Sequence, residues 1–78
     1  MKIEVLGTGC AKCNLLESTT KQVADRLGLD YTLDHVQDIG KITEYGVMMT
    51  PALVIDRQVK VTGKVPSEAE LEKLLRSA

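Results

Sequence analysis

Two cysteines carry the chemistry open to this sequence: Cys10 and Cys13 stand three positions apart in the run Gly9-Cys10-Ala11-Lys12-Cys13. A sulfur pair at that spacing has two uses. As thiolates the two can hold a soft ion such as Cu(I) or Zn(II), and as a dithiol they can close to a disulfide and reopen, passing two electrons. A disulfide kept only for stability is the weakest reading, because so small a loop removes little entropy from the unfolded chain. The run sits where an apolar segment, Lys2 to Leu6, gives way to helical spacing from about Ala11. At a helix start, unpaired backbone N–H groups and the positive end of the macrodipole favour thiolate over thiol. That placement predicts an exposed, acidic nucleophile at Cys10. Cys13, one helical turn on, becomes the more buried thiol that resolves a mixed disulfide. Lys12 adds a positive charge between them, and Gly7 and Gly9 let the backbone turn sharply and leave the approach to Cys10 open.

Other residues with chemical potential are fewer. His35 could join the cysteines as a third metal ligand only if its strand end reached their loop; a hydrogen-bonded or surface histidine is the ordinary role. Met48 and Met49 stand beside Pro51 and could be a soft metal contact or an adaptable surface for docking protein substrates, with at least one of them expected to pack over the core. Gly7-x-Gly9 is too short for a dinucleotide-binding fingerprint, so no nicotinamide or flavin site is expected.

The elements that must position these residues follow from periodicity. Lys2 to Leu6 reads as a strand bounded by Gly7-Thr8-Gly9. From about Ala11 to Leu27, the positions Leu16, Thr20, Val23 and Leu27 recur at helical spacing, with Leu15 and Thr19 on the flank, and Gly28 ends the run. Leu29 to Val36 alternates as a half-covered strand. Asp38 caps a short helix with Ile39, Ile42 and Tyr45 inward, which Gly46 stops. Ala52 to Ile55 reads as a buried strand after Pro51, and Asp56-Arg57-Gln58 turns it back into Val59 to Thr62. Ser67-Glu68-Ala69-Glu70 has the form of a capping box opening a last helix with Leu71, Leu74 and Leu75 inward and Glu68, Glu70, Glu72, Lys73 and Arg76 in water. The predicted order βαβαββα implies an α/β fold. Its four-stranded mixed sheet carries helices on both faces, with the first strand parallel to the second and third and the terminal hairpin adding one antiparallel edge.

Composition bounds the rest. Residues 1–78 are expected to form a single domain, 44% apolar and 27% charged, with no Phe or Trp and two Tyr, so the core is aliphatic. A formal net charge of -1 provides no field for polyanions, which argues against nucleic acid and membrane surfaces as partners. The apolar stretch at the N-terminus is interrupted by Glu4 and is shorter than a signal-peptide core, so a cytoplasmic location is expected.

Taken together, Gly-Thr-Gly-Cys-Ala-Lys-Cys after a strand, Thr50-Pro51 before a buried strand, and the order of elements resemble the small thioredoxin- and glutaredoxin-like redox-active disulfide proteins of archaea and bacteria. The similarity runs essentially end to end. It implies a thioredoxin fold and a thiol–disulfide oxidoreductase with no cofactor of its own, in which Cys10 and Cys13 match the redox pair. Pro51 matches the family proline that lies against the disulfide after a cis peptide bond, and Thr50 would present its backbone to a substrate chain. Glu4, six residues before Cys10, stands at the interval where thioredoxins carry a buried acid that manages the resolving thiol's proton; the plain alternative is a strand residue reaching solvent. Gly9 replaces the Trp of ordinary thioredoxins, and Ala11-Lys12 replaces their Gly-Pro. The implied partners of this monomer are a thioredoxin-reductase-type electron donor and oxidised protein or small-molecule disulfides. They would meet Gly9, Ala11, Lys12, Met49 and Thr50 around the cysteines. The rival is a Cu or Zn chaperone using the same pair. Such domains run strand, helix, strand, strand, helix, strand and usually carry Met two residues before the first Cys, where this chain has Thr8.

Overall fold

The computed structural model describes residues 1–9 and 11–77, and Cys10 lies outside the described residues. Seven elements follow in the expected order: β1 (Lys2–Leu6), α1 (Ala11–Arg26), β2 (Thr32–Val36), α2 (Ile39–Glu44), β3 (Ala52–Ile55), β4 (Gln58–Thr62) and α3 (Glu68–Arg76). The sheet order is β2-β1-β3-β4. This α/β architecture, a four-stranded mixed sheet with helices on both faces, is that of the thioredoxin fold.

One strand direction differs from expectation. β1 pairs parallel with β2, as the right-handed crossover requires, but antiparallel with β3, with Leu6 opposite Ala52 and Ile3 opposite Ile55. The reason lies in where the connection is held. Val47 is buried with Leu6 and Ala52, and Thr50 stands against Gly7 at the end of β1. The chain therefore enters β3 from the end at which it left β2, with Val36 and Ala52 both opposite Leu6. β4 then returns antiparallel to β3.

Alternation along β1 sends its side chains to two different layers. Ile3 and Val5 join Leu16, Val23 and Ala24 of α1, Leu53 and Ile55 of β3, Val61 of β4, and Leu71 and Leu75 of α3 in the larger core. Leu6 joins Ile42, Val47, Ala52 and Val54 in a smaller one beneath α2, flanked by Val36 and Tyr45. That smaller cluster lies beneath the last turn of α2 only, so Ile39, expected inward, is 68% exposed. Leu74 is likewise only partly buried at the edge of the larger core. The caps match their sequence signals. Asp38 accepts from the Gly40 N–H at 2.8 Å, and Ser67 with Glu70 completes both arms of the capping box. Among the described residues, no helix is long and apolar enough to cross a membrane.

Candidate functional site

The first turn of α1 carries Ala11, Lys12 and Cys13, and no acidic residue stands in it. In α3, by contrast, Glu68 and Glu70 occupy the first turn, and the Glu70 carboxylate accepts from the Ser67 N–H. The positive end of α1 is thus left without a carboxylate, and an anion at that end is favoured by the helix field. Cys13 is fully buried on the inner side of the helix, while Ala11 and Lys12 are exposed. Cys10, the expected nucleophile, lies outside the described residues.

Gly7 explains how the sulfur reaches its place. Its backbone is not in the left-handed region; the constraint is space. A Cβ built on Gly7 would collide with Sγ of Cys13 and would stand 3.8 Å from Cβ of Thr50. Strand end, helix start and the residue before Pro51 therefore meet at one point, which only a residue without a side chain leaves open. Gly9 has the other use of glycine, a φ of +89° in the bend between β1 and α1.

The Thr50–Pro51 peptide is cis. Pro51 is fully buried, and its carbonyl accepts a hydrogen bond from the Gly63 N–H at 2.8 Å. Ahead of it the chain is open to water: Met48 is 95% and Met49 63% exposed, and Thr50 is exposed as well. Met49 also leans on Gly63, where an added Cβ would come within 3.2 Å of the Met49 Cβ. Both methionines are thus surface residues rather than core filling.

Glu4 is 7% exposed in the middle of β1. By alternation it faces the α2 layer with Leu6, whereas Cys13 belongs to α1 on the other side of the sheet. Its partner is one that periodicity alone did not single out. The Tyr45 hydroxyl donates to Glu4 Oε1 at 2.6 Å. That hydrogen bond, reinforced by burial and by the carboxylate's charge, raises the Tyr45 pKa above its ordinary value of 10.0, so the phenol keeps its proton. A signal did exist: an aromatic with a polar tip on the inner side of a helix must find a partner for its hydroxyl. Lys2, Lys41, Glu44 and Arg57 line an open cleft of about 460 Å³ in front of this pair.

His35 takes the ordinary role. Its Nδ1 lies 3.1 Å from Glu17 Oε2 of α1, tying the outer strand β2 to that helix.

Comparison with known proteins agrees with this architecture over nearly the whole chain. The thioredoxin domain model matches residues 1–76. A thioredoxin of Methanothermobacter thermautotrophicus is 36% identical over 75 residues, covering 96% of this chain and 97% of that protein. A thioredoxin of Methanocaldococcus jannaschii is also 36% identical over 75 residues, covering 96% of this chain and 86% of its own length.

Proposed function

The chain belongs to the thioredoxin family, and on that premise we propose that it is a thiol–disulfide oxidoreductase cycling Cys10 and Cys13 between dithiol and disulfide. The Cys10 thiolate attacks one sulfur of a substrate disulfide, forms a mixed disulfide and expels the other substrate sulfur, which takes up a proton. Cys13 then loses its proton and attacks Cys10 Sγ. The Cys10–Cys13 bond forms, the second substrate thiol leaves, and two electrons have passed to the substrate. An external dithiol donor of the thioredoxin-reductase type returns the pair to its reduced form. Substrates approach over Gly9, Ala11, Lys12, Met49 and Thr50, with Thr50 offering its backbone and Pro51, which has no N–H, facing the sulfurs.

The observation that carries this reading is the meeting of Cys13 Sγ and Thr50 at the bare Cα of Gly7. A resolving thiol and a substrate-facing backbone are the two parts that exchange must bring together, and an acid-free helix start supports the thiolate. The test is trapping. Cys13→Ser should hold oxidised proteins on Cys10 as mixed disulfides released by reductant, while Cys10→Ser should hold none. Equal capture by both variants, or none by either, would refute the assignment.

A further inference from the structure

A carboxylate in the middle of a central strand is costly unless its environment answers its charge. At Glu4 the answer comes from Tyr45, and Tyr45 is the C-cap of α2. The chain that leaves this cap is Gly46-Val47-Met48-Met49-Thr50-Pro51, the segment that ends against Gly7 and Cys13. It is held at its far end by the Gly63 N–H on the Pro51 carbonyl, and within it Val47 is buried in the small core. Its near end is joined to α2 by the Gly46 N–H on the Thr43 carbonyl at 2.8 Å, and the phenol on Glu4 ties that end of α2 to β1. Gly46, at φ +74°, turns the chain directly after that anchor.

We infer that Glu4 and Tyr45 are positioning residues: their hydrogen bond ties the end of α2, and with it the near end of the Gly46–Pro51 segment, to β1 and so sets where Met49 and Thr50 stand relative to Cys13. This rests on the disulfide-exchange reading and gives Glu4 a role different from handling the Cys13 proton. The carboxylate is engaged by a phenol that keeps its own proton, and it lies on the α2 side of the sheet, away from the helix that carries Cys13. Lys2, Lys41 and Arg57 share the cleft with Glu4 and Glu44 without an ion pair within 4.0 Å to any of them among the described residues, which leaves the phenol's hydrogen bond as the directional side-chain contact.

The two roles predict opposite behaviour. Reduction of insulin disulfides, with dithiothreitol as the electron donor, gives KM and kcat for each variant between about pH 6 and pH 9. Positioning predicts that Tyr45→Phe raises KM about fivefold while kcat stays within about twofold and its pH profile is unmoved. Glu4→Gln keeps a carbonyl for the phenol to donate to, so it should hold KM within about twofold, whereas Glu4→Leu should resemble Tyr45→Phe. Amide NMR shifts of Val47 to Thr50 in the substrate-free protein should move in Tyr45→Phe and stay near wild type in Glu4→Gln. The inference is overturned if Glu4→Gln lowers kcat and displaces its pH profile while Tyr45→Phe does neither, or if Tyr45→Phe leaves both KM and the segment's amides unchanged. Tyr45→Phe and Glu4→Gln decide the matter even if Glu4→Leu does not fold. A wild-type chain that reduces no insulin would instead remove the disulfide-exchange reading, and the amide shifts would still test the anchor.

Discussion

The two faces of the sheet are built to different ends. On one, α1 and α3 cover Ile3, Val5, Leu53 and Ile55 with a continuous aliphatic layer. On the other, Ile42 of α2 and Val47 of the segment after it cover only Leu6, Ala52 and Val54, and beside them a carboxylate–phenol pair stands at the back of an open cleft. The first face carries most of the apolar burial and so most of the folding free energy. The second leads into the segment whose Thr50 meets Cys13 at Gly7. A small domain without aromatic bulk can afford one thick layer, and here the helix that carries Cys13 belongs to that layer, so Cys13 is built into the more heavily packed side of the sheet.

Truncating one residue in each layer breaks or sharpens this contrast most directly. Leu16→Ala in the larger core should cost about 3 kcal/mol, and Ile42→Ala in the smaller one about 2 kcal/mol, measured by urea unfolding. Equal losses would mean that the α2 layer is as heavily used as the other. Leu16 also sits one turn beyond Cys13, so its truncation should loosen the helix that carries the sulfur, whereas Ile42→Ala should act through the Met49–Thr50 side.

An intermediate effect is expected where the two faces meet. Gly7→Ala would put a methyl group into the space held by Cys13 Sγ. Overpacking of this kind costs about 2 kcal/mol, and a displaced Cys13 should slow resolution of a mixed disulfide about tenfold or more. Single-turnover kinetics with a preformed mixed disulfide separates this step from the attack by Cys10. A Gly7→Ala protein with wild-type stability and resolution rate would show that the sulfur is not held against the end of β1.

Much of this was readable from the sequence, and the exceptions have physical causes. Periods of two and of 3.6, glycine stops and the capping box mark all seven elements, because local patterns report local structure. The direction of β3 is different. It depends on where tertiary contacts hold the segment between α2 and β3, which periodicity does not measure. Ile39 follows from the shortness of α2, since a two-turn helix has too little layer beneath it to cover both turns. Gly7 is legible as a turn glycine, but its actual duty toward the Cys13 sulfur requires three segments to be brought together. For Glu4 the thioredoxin resemblance implies a buried acid, beside the plain reading of a strand residue reaching solvent, and neither points to its partner, which lies 41 residues away. The strand interval between Glu4 and the cysteines is a distance along one chain segment and says nothing of which face the carboxylate points to.

The smallest effect is expected at the turn that closes the cleft, and its sign tests how well the α2 face is optimised. Asp56 and Arg57 link β3 to β4 with φ values of +48° and +68°. Two-residue hairpin turns of this hand favour Asp-Gly or Asn-Gly, because a side chain at the second position meets its own backbone. Asp56 has a clear duty there: its N–H donates to the Lys2 carbonyl and its Oδ1 accepts from the Lys2 N–H, each at 2.8 Å. Arg57 has no equivalent side-chain bond to the backbone among the described residues, and it lines the cleft with Glu4 and Tyr45. Arg57→Gly should remove the left-handed cost, lose part of the gain to the freer unfolded chain, and leave a net stabilisation of about 1 kcal/mol, seen as a rise in Tm of several degrees. A fall in Tm instead would mean that the guanidinium beside the buried carboxylate stabilises the fold by more than its backbone strain costs. In that case the thinner face would hold together by charge what the thicker face holds by apolar contact.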